Sequence, residues 1–453
     1  MRRDTLLGSA GVHDLIARDA AALWHPATHF DDLAAHPPLA IASAEGPWLY
    51  TVDGRRILDA VASWWTSLHG HRHPAVMTAI RQQLDVLDHV MFAGFTHAPA
   101  VLLAERLLAA TDGSFARVFF ADSGSDAIEV ALKLALQYHQ QSGRPERRRI
   151  AALVHGYHGE TMGALAACGS DIYRAPFADV LQSALFLPAA GVPDHRHVDL
   201  GSDAGASDAA CDAAIDALDA HADELAALVV EPVVQCAGQM RMHGTGYLRR
   251  VVERARALGI LVIADEIAVG LGRTGRLFAH QWAGIGVDAM CLGKGLSGGV
   301  LPLSAVLVGP ALEPAFRGAP ARAFAHSHTF CANPIATAAG LASLELLTSH
   351  TLGRLGAMIE TLDRARQEVE RACPAVVTSR QAGCIVAFDL RPHLRAPPDG
   401  RIGLQLRTAA LARGVLLRPL GDTLYWMPPL LLADDAVACL IEATIGAITE
   451  VLG

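Results

Sequence analysis

An α/β architecture is what this sequence predicts: a mainly parallel sheet between helices, with a smaller α+β unit beside it. Three observations carry the prediction. The apolar run "LAALVVEPVV" (225–234), the helix-period "GYLRRVVERARAL" (246–258) and "GILVIADE" (259–266) make one strand–helix–strand unit, which implies parallel pairing. "ARVFFA" (116–121) reads as a buried strand, followed by "SDAIEVALKLALQYHQQ" (125–141), apolar at three- and four-residue spacing. The last hundred or so residues carry helix patterns (352–372, 403–413, 434–452) around short strands such as "CIVAFDL" (384–390).

Between these, "DAMCLG" (288–293) and "SAVLVG" (304–309) read as further strands, and 189–208 and 391–401 as long loops. The expected organisation is a large domain over 66–345 and a small domain combining 1–65 with 346–453.

A chain of 453 residues, 52% apolar and 18% charged, can bury a large core. So few charges point to additional surface buried against another subunit. The net charge of −9 argues against a general nucleic-acid binder. Eight scattered cysteines without a CxxC pair fit reduced, cytosolic thiols. The segment "MRRDTLLGSAGVHDL" has no sustained apolar stretch and is not read as a signal peptide. No run of about 18 apolar residues marks a membrane span. The expectation is a soluble, cytoplasmic protein that binds neither nucleic acid nor membrane.

Ligands of open parallel sheets gather at the carboxyl ends of strands, and four features fall there. In "ADSGSDAIE", Asp122, Ser123, Gly124 and Ser125 lie between a strand and a helix N-terminus. That turn is either a phosphate cradle of free N–H groups and hydroxyls or an ordinary helix start capped by Ser125. Glu231 and Asp265 end adjacent apolar strands, where a carboxylate costs desolvation unless a cation or donor meets it. Lys294 lies between Gly293 and Gly295 after a fourth strand. A phosphate cradle, a lysine and a buried carboxylate together are what pyridoxal phosphate requires: an anchor, a Schiff-base amine and an acid that keeps its pyridine nitrogen protonated. Tyr157, in "HGYHGE", is the candidate for an aromatic face against the ring.

Two further motifs weigh little. "GLGRTG" (270–275) matches a dinucleotide-loop pattern but does not open a first βαβ unit. "HGHRHP" places His69, His71 and His73 at alternate positions, yet reads as a loop without an acidic ligand, which argues against a metal site there.

The segments "IADEIAVGLGRTG", "DAMCLGKGLSGG" and "HTFCANPIATAAG" resemble the class-III aminotransferases of the fold-type I pyridoxal phosphate enzymes, over about residues 24 to 450. The resemblance implies that Lys294 carries the cofactor, Asp265 pairs with its pyridine nitrogen, Gly124 and Ser125 hold its phosphate and Tyr157 stacks on it. Glu231 and His328 join the cofactor site. It also implies a homodimer with shared active sites, in which Thr329 reaches the neighbouring subunit's cofactor phosphate.

A second set, "LWHP" (23–26), "SAEG" (43–46), "SWWTSLHGHRHP" (63–74), "HVMFAGFTHAPA" (89–100) and "RPLGDTLYWMPP" (418–429), resembles the biotin-biosynthesis branch of that family. Its members move an amino group from S-adenosylmethionine to 7-keto-8-aminopelargonate. By that likeness Trp64, Trp65, Tyr425 and Trp426 offer an apolar slot, and Arg418 offers a fork for the acceptor's carboxylate. Core packing is the other use for Trp65. Ser327 belongs to the substrate end. Ala27 stands in "HPATHF" where the branch has an aromatic residue, and Ser327 and His328 replace a glycine and a proline in "HSHTF". The donor is either S-adenosylmethionine or lysine. Arg273 either contacts a donor carboxylate or holds its own loop through an ion pair. Other ω-amino-acid aminotransferases are the nearest alternative activity, with an oxidoreductase built on "GLGRTG" or a cofactor-binding regulator further off.

Overall fold

The computed structural model describes residues 12–189, 209–391 and 401–453. The two stretches read as long loops lie outside these except at their end residues, as does most of 1–15. Near the start, β1 (Ile41–Glu45), β2 (Trp48–Thr51) and β3 (Arg56–Asp59) pair antiparallel. The next strands are β4 (Arg117–Ala121), β5 (Arg149–Leu153), β6 (Leu185–Leu187) and β7 (Leu225–Val230). A short hairpin, β8 (Val234–Gln235) and β9 (Arg241–Met242), precedes β10 (Leu261–Asp265), β11 (Ala289–Leu292) and β12 (Ser304–Val308). The last four are β13 (Val376–Ala382), β14 (Ile385–Leu390), β15 (Val415–Leu416) and β16 (Thr423–Trp426).

Seven strands form the central sheet in the order β4-β12-β11-β10-β7-β5-β6. From β6 to β11 every pairing is parallel, whereas β12 runs antiparallel to both its neighbours. The reversal follows from the connection. Only residues 293–303 join β11 to β12, with a single 3-10 turn and no helix, and a parallel crossover needs about a dozen residues or more. The expected strand 225–234 also ends early, because Glu231-Pro232 interrupts it and a proline has no N–H for the ladder.

Helices cover both faces. In α2 (Gly124–Gln141), Ala127, Ile128 and Ala131 share a core with Val229, Ile263 and Cys291. On the other face Tyr247, Leu248 and Val251 of α3 (Thr245–Ala257) pack with Leu228 and Val262. Alternation along β7 and β10 therefore feeds two cores, which is why both strands read as continuous apolar runs. Two more helices matter for the site, α1 (Pro74–Leu84) and α4 (Pro334–Leu346), which pack on each other. A fourth-strand pairing, β15 with β3 in parallel, joins the two ends of the chain in one sheet. The remaining sheet, β13-β14-β16, is antiparallel. Among the described residues no helix is long and apolar enough to cross a membrane.

Candidate active site

The carboxyl ends of β4, β7, β10 and β11 open on a cavity of about 220 Å³. Its walls bring together Ser123, Gly124, Ser125, Tyr157, Glu231, Asp265, Lys294 and Trp65. At the end of β4 the chain enters α2 through a capping box. The Ser123 hydroxyl accepts from Asp126 N–H at 3.3 Å, and the Asp126 carboxylate accepts from Ser123 N–H at 3.0 Å. Ser123, and not Ser125, is thus the cap. That leaves Gly124 and Ser125 as the first helical residues, whose N–H groups have no intrahelical acceptor and suit an anion. A Cβ at Gly124 would lie 3.0 Å from the Ile267 side chain, which would have to move aside. The Ser125 hydroxyl accepts from Glu160 N–H at 3.0 Å.

Beneath this turn lies a buried charged group. Asp265 accepts from His158 Nδ1–H at 2.8 Å and from Ile267 N–H at 3.1 Å. Burial works against a His158 cation, but the hydrogen bond and charge of Asp265, with Glu231, raise its pKa above the ordinary value. Glu231 accepts from Tyr157 N–H at 2.9 Å and Cys236 N–H at 3.0 Å. Burial, and then Asp265, push its carboxyl upward, with His158 opposing. The Tyr157 hydroxyl donates to Glu160 at 2.9 Å, while burial and Glu160 raise its pKa.

Lys294 begins a 3-10 turn, Lys294–Ser297, directly after β11. Its φ of 42° is left-handed, a conformation that costs a residue with a Cβ about 1–2 kcal/mol. Burial lowers its pKa, against Asp265, Cys236 and Glu231. Its ammonium makes no hydrogen bond or ion pair among the described residues, and lies 5.0 Å from the centre of the Trp65 ring.

Trp64 and Trp65 sit on a left-handed turn in which Ala62, Ser63, Trp64 and Trp65 all have positive φ. The turn directs the two indoles to different places. Trp65 is 4% exposed, faces the cavity, and donates from Nε1 to the Tyr425 hydroxyl at 3.1 Å. Trp64 is 42% exposed and carries the Arg418 guanidinium 4.1 Å above its ring. Arg418 has no carboxylate partner among the described residues.

Two expected pocket residues need correction. Tyr425 is fully buried behind Trp65 and supports that indole without lining the cavity. Trp426 is core: it packs 4.9 Å from Phe388 and donates to the Thr444 hydroxyl, because alternation along β16 sends it to the opposite face from Tyr425. Arg273 is 1% exposed and donates to the carbonyls of Trp65 and Pro428, so it clamps two loops and reaches no carboxylate. Ser327, His328 and Thr329, on the loop expected to serve the neighbouring subunit, do not line this chain's own cavity; His328 Nδ1 lies 3.7 Å from Asp122 and 3.9 Å from Asp126. His71 turns to Asp59 at 2.9 Å, away from the His69–His73 pair, so the three imidazoles share no face. Ala27 is exposed, with φ 49°. No α-helix follows "GLGRTG", only a 3-10 turn at Ala279–Trp282.

Two site residues escaped sequence reasoning. His158 and Glu160 flank Tyr157 closely, but only contacts across the fold, 107 residues apart for His158 and Asp265, reveal the acid–imidazole pair. The available signal was indirect: a carboxylate closing an apolar strand demands a donor.

The set fits pyridoxal phosphate. One cavity joins a buried acid, a helix N-terminus and an unpaired lysine, and the buried His158 Nε2 has no partner among the described residues. Known proteins point the same way. The family model "Aminotransferase class-III" matches residues 31–448, so the chain belongs to the class-III aminotransferase family. Its relatives are more particular. It is 42% identical over 433 residues to the adenosylmethionine-8-amino-7-oxononanoate aminotransferase of Synechococcus elongatus, covering 95% of this chain and 99% of that one. The enzyme of the same name from Mycobacterium leprae is 39% identical, covering 95% of each. Among solved structures, that of the Methanocaldococcus jannaschii enzyme of this name superposes with a TM-score of 0.90 at 27% identity, covering 98% of this chain and 100% of that one. A Pseudomonas amine transaminase in its pyridoxal phosphate-bound form reaches 0.86 at 31% identity, covering 95% and 99%.

Proposed function

We propose that this protein transfers an amino group from S-adenosylmethionine to 7-keto-8-aminopelargonate (8-amino-7-oxononanoate), giving 7,8-diaminopelargonate for biotin synthesis, with pyridoxal 5'-phosphate as cofactor. The observation that carries the reading is the unpaired, buried Lys294 sharing one cavity with Asp265 and a helix N-terminus, in a chain 42% identical to an enzyme of that name.

In this reading Gly124 and Ser125 hold the cofactor's phosphate, Asp265 its pyridine nitrogen, and Tyr157 its ring face. When bound, the cofactor supplies an electron-withdrawing ring that stabilises charge on the amine-bearing carbon. Lys294 Nζ, biased toward its neutral form by burial, takes the proton from the donor's α-carbon. It later delivers a proton to the acceptor's carbonyl carbon, so donor and acceptor use one cavity in turn. His158 holds Asp265 in place and Glu231 fixes the backbone of Tyr157. Trp65 walls the cavity, while Trp64 and Arg418 receive the acceptor's alkyl chain and carboxylate.

The same reading makes the protein a cytoplasmic homodimer with Ser327, His328 and Thr329 serving the neighbouring site. Its support is the low charged fraction and a run of exposed apolar side chains (Val86, Met91, Phe95, Val101, Leu102, Phe330), with His89 4.8 Å from Phe330. The test is product formation by the purified protein loaded with pyridoxal 5'-phosphate. S-adenosylmethionine with 7-keto-8-aminopelargonate should give diaminopelargonate. Faster turnover with 2-oxoglutarate as acceptor, or with lysine as donor, would replace that substrate assignment.

A further inference from the structure

We propose that His69 is a positioning residue that acts through Ser343 to hold the backbone of the Lys294 turn. This rests on the reading of Lys294 as the catalytic amine. The turn is closed by Leu296 N–H to Gly293 O at 2.9 Å and Gly298 N–H to Gly295 O at 2.8 Å. It presents Lys294 from a left-handed backbone, so an outside contact has to keep it there.

That contact comes from α4. The Ser343 hydroxyl donates to the Gly295 carbonyl at 3.4 Å, next to the lysine, and a Cβ on Gly340 would lie 3.4 Å from the Leu296 carbonyl. On the other side of Ser343, His69 Nε2 stands 3.1 Å from both its carbonyl and its hydroxyl oxygen. A carbonyl only accepts, so Nε2 carries the ring proton. The Ser343 hydroxyl, approached by that N–H, is left to aim its own hydrogen at Gly295. Burial first, then His73 and Arg273, pull the His69 pKa down to about 4, so the ring is neutral near pH 7.

The backbone around His69 is fixed on both sides. Leu68 O accepts from Leu430 N–H at 2.8 Å, and His71 N–H donates to Gly46 O at 2.6 Å. Gly70 approaches Gly46 so closely that a Cβ would lie 2.8 Å from its carbonyl carbon. Leu68 itself fills the space beside Gly295, where a Cβ would come within 2.6 Å of Leu68 Cγ. The lysine turn is thus held between Leu68 and α4, with the imidazole bracing one against the other.

The test compares His69→Ala, His69→Gln and Ser343→Ala in the enzyme loaded with pyridoxal 5'-phosphate. The readouts are kcat, KM for the keto-acid, and the visible absorbance of the resting, lysine-bound cofactor. Both alanine variants should lose roughly tenfold in kcat with KM within about twofold, and show weaker absorbance. The glutamine side-chain amide places an N–H near the Nε2 position, so His69→Gln should recover kcat to within about threefold and restore the absorbance. Alanine variants with lowered Tm but unchanged kcat and absorbance would overturn the proposal, as would a glutamine variant no better than alanine. A wild type without turnover would sink the functional reading instead, and the absorbance comparison would still decide the role of His69.

Discussion

At the floor of the cavity, Asp265, His158 and Glu231 are each less than 5% exposed and hydrogen-bonded to one another or to backbone N–H groups. Toward solvent, at what the proposed reading makes the mouth, Trp64 is 42% exposed, and Arg418 rests on its ring with no carboxylate partner among the described residues. The floor is pre-organised by this chain alone, because buried charges without partners would be too costly to keep. In the proposed reading the mouth's indole surface and guanidinium take a ligand with an apolar stem and an acid end. Chemistry and choice of substrate are therefore separable by mutation.

The largest effect belongs at the floor. Lys294→Ala removes the only amine in the cavity and should cost at least about 10³-fold in kcat, read by stopped product assays. Asp265→Asn keeps the shape but loses the charge that the proposed reading sets against the pyridine, and should cost roughly 10²-fold in kcat with KM for the keto-acid little changed. The mouth should answer differently. Arg418→Ala should raise KM for the keto-acid at least roughly tenfold, the worth of one charged hydrogen bond, while kcat moves only a few-fold. If Arg418→Ala lowered kcat and left KM alone, the division between floor and mouth would be broken.

A smaller effect sharpens the electrostatics of the floor. Burial raises the Glu231 carboxyl above its unfolded value, so the folded state holds this proton more tightly. Its contribution to stability is present below the unfolded pKa of about 4.5 and is lost as pH rises through the higher folded value. Glu231→Gln cannot titrate. The drop in Tm between pH 5 and pH 7.5 should therefore shrink in that variant relative to the wild type, as measured by calorimetry.

The comparison also explains what was legible in the sequence. The strand-end residues Asp265, Glu231 and Lys294 and the turn at Gly124 and Ser125 stood out because each breaks an apolar run at a strand terminus. The alternating strands and helices of the central sheet were legible for the same reason, through period and run length. What stayed hidden depends on contacts distant along the chain. His158 meets Asp265 from 107 residues away, Arg273 clamps Trp65 and Pro428, and His69 reaches Ser343 across 274 residues. The faces of Tyr425 and Trp426 turned on the register of β16, and a one-residue shift in register exchanges core and cavity. The antiparallel β12 followed from a connection length that the strand patterns alone did not weigh.

The central claim is that Lys294 carries the cofactor, and the composition of the chain makes it unusually direct to test. Lys294 and Lys133 are its only lysines. Borohydride reduction of the enzyme loaded with pyridoxal 5'-phosphate, followed by peptide mass spectrometry, should place the pyridoxyl label on Lys294, with Lys133 unmodified. A label on Lys133, or no covalent label at all, would contradict the account.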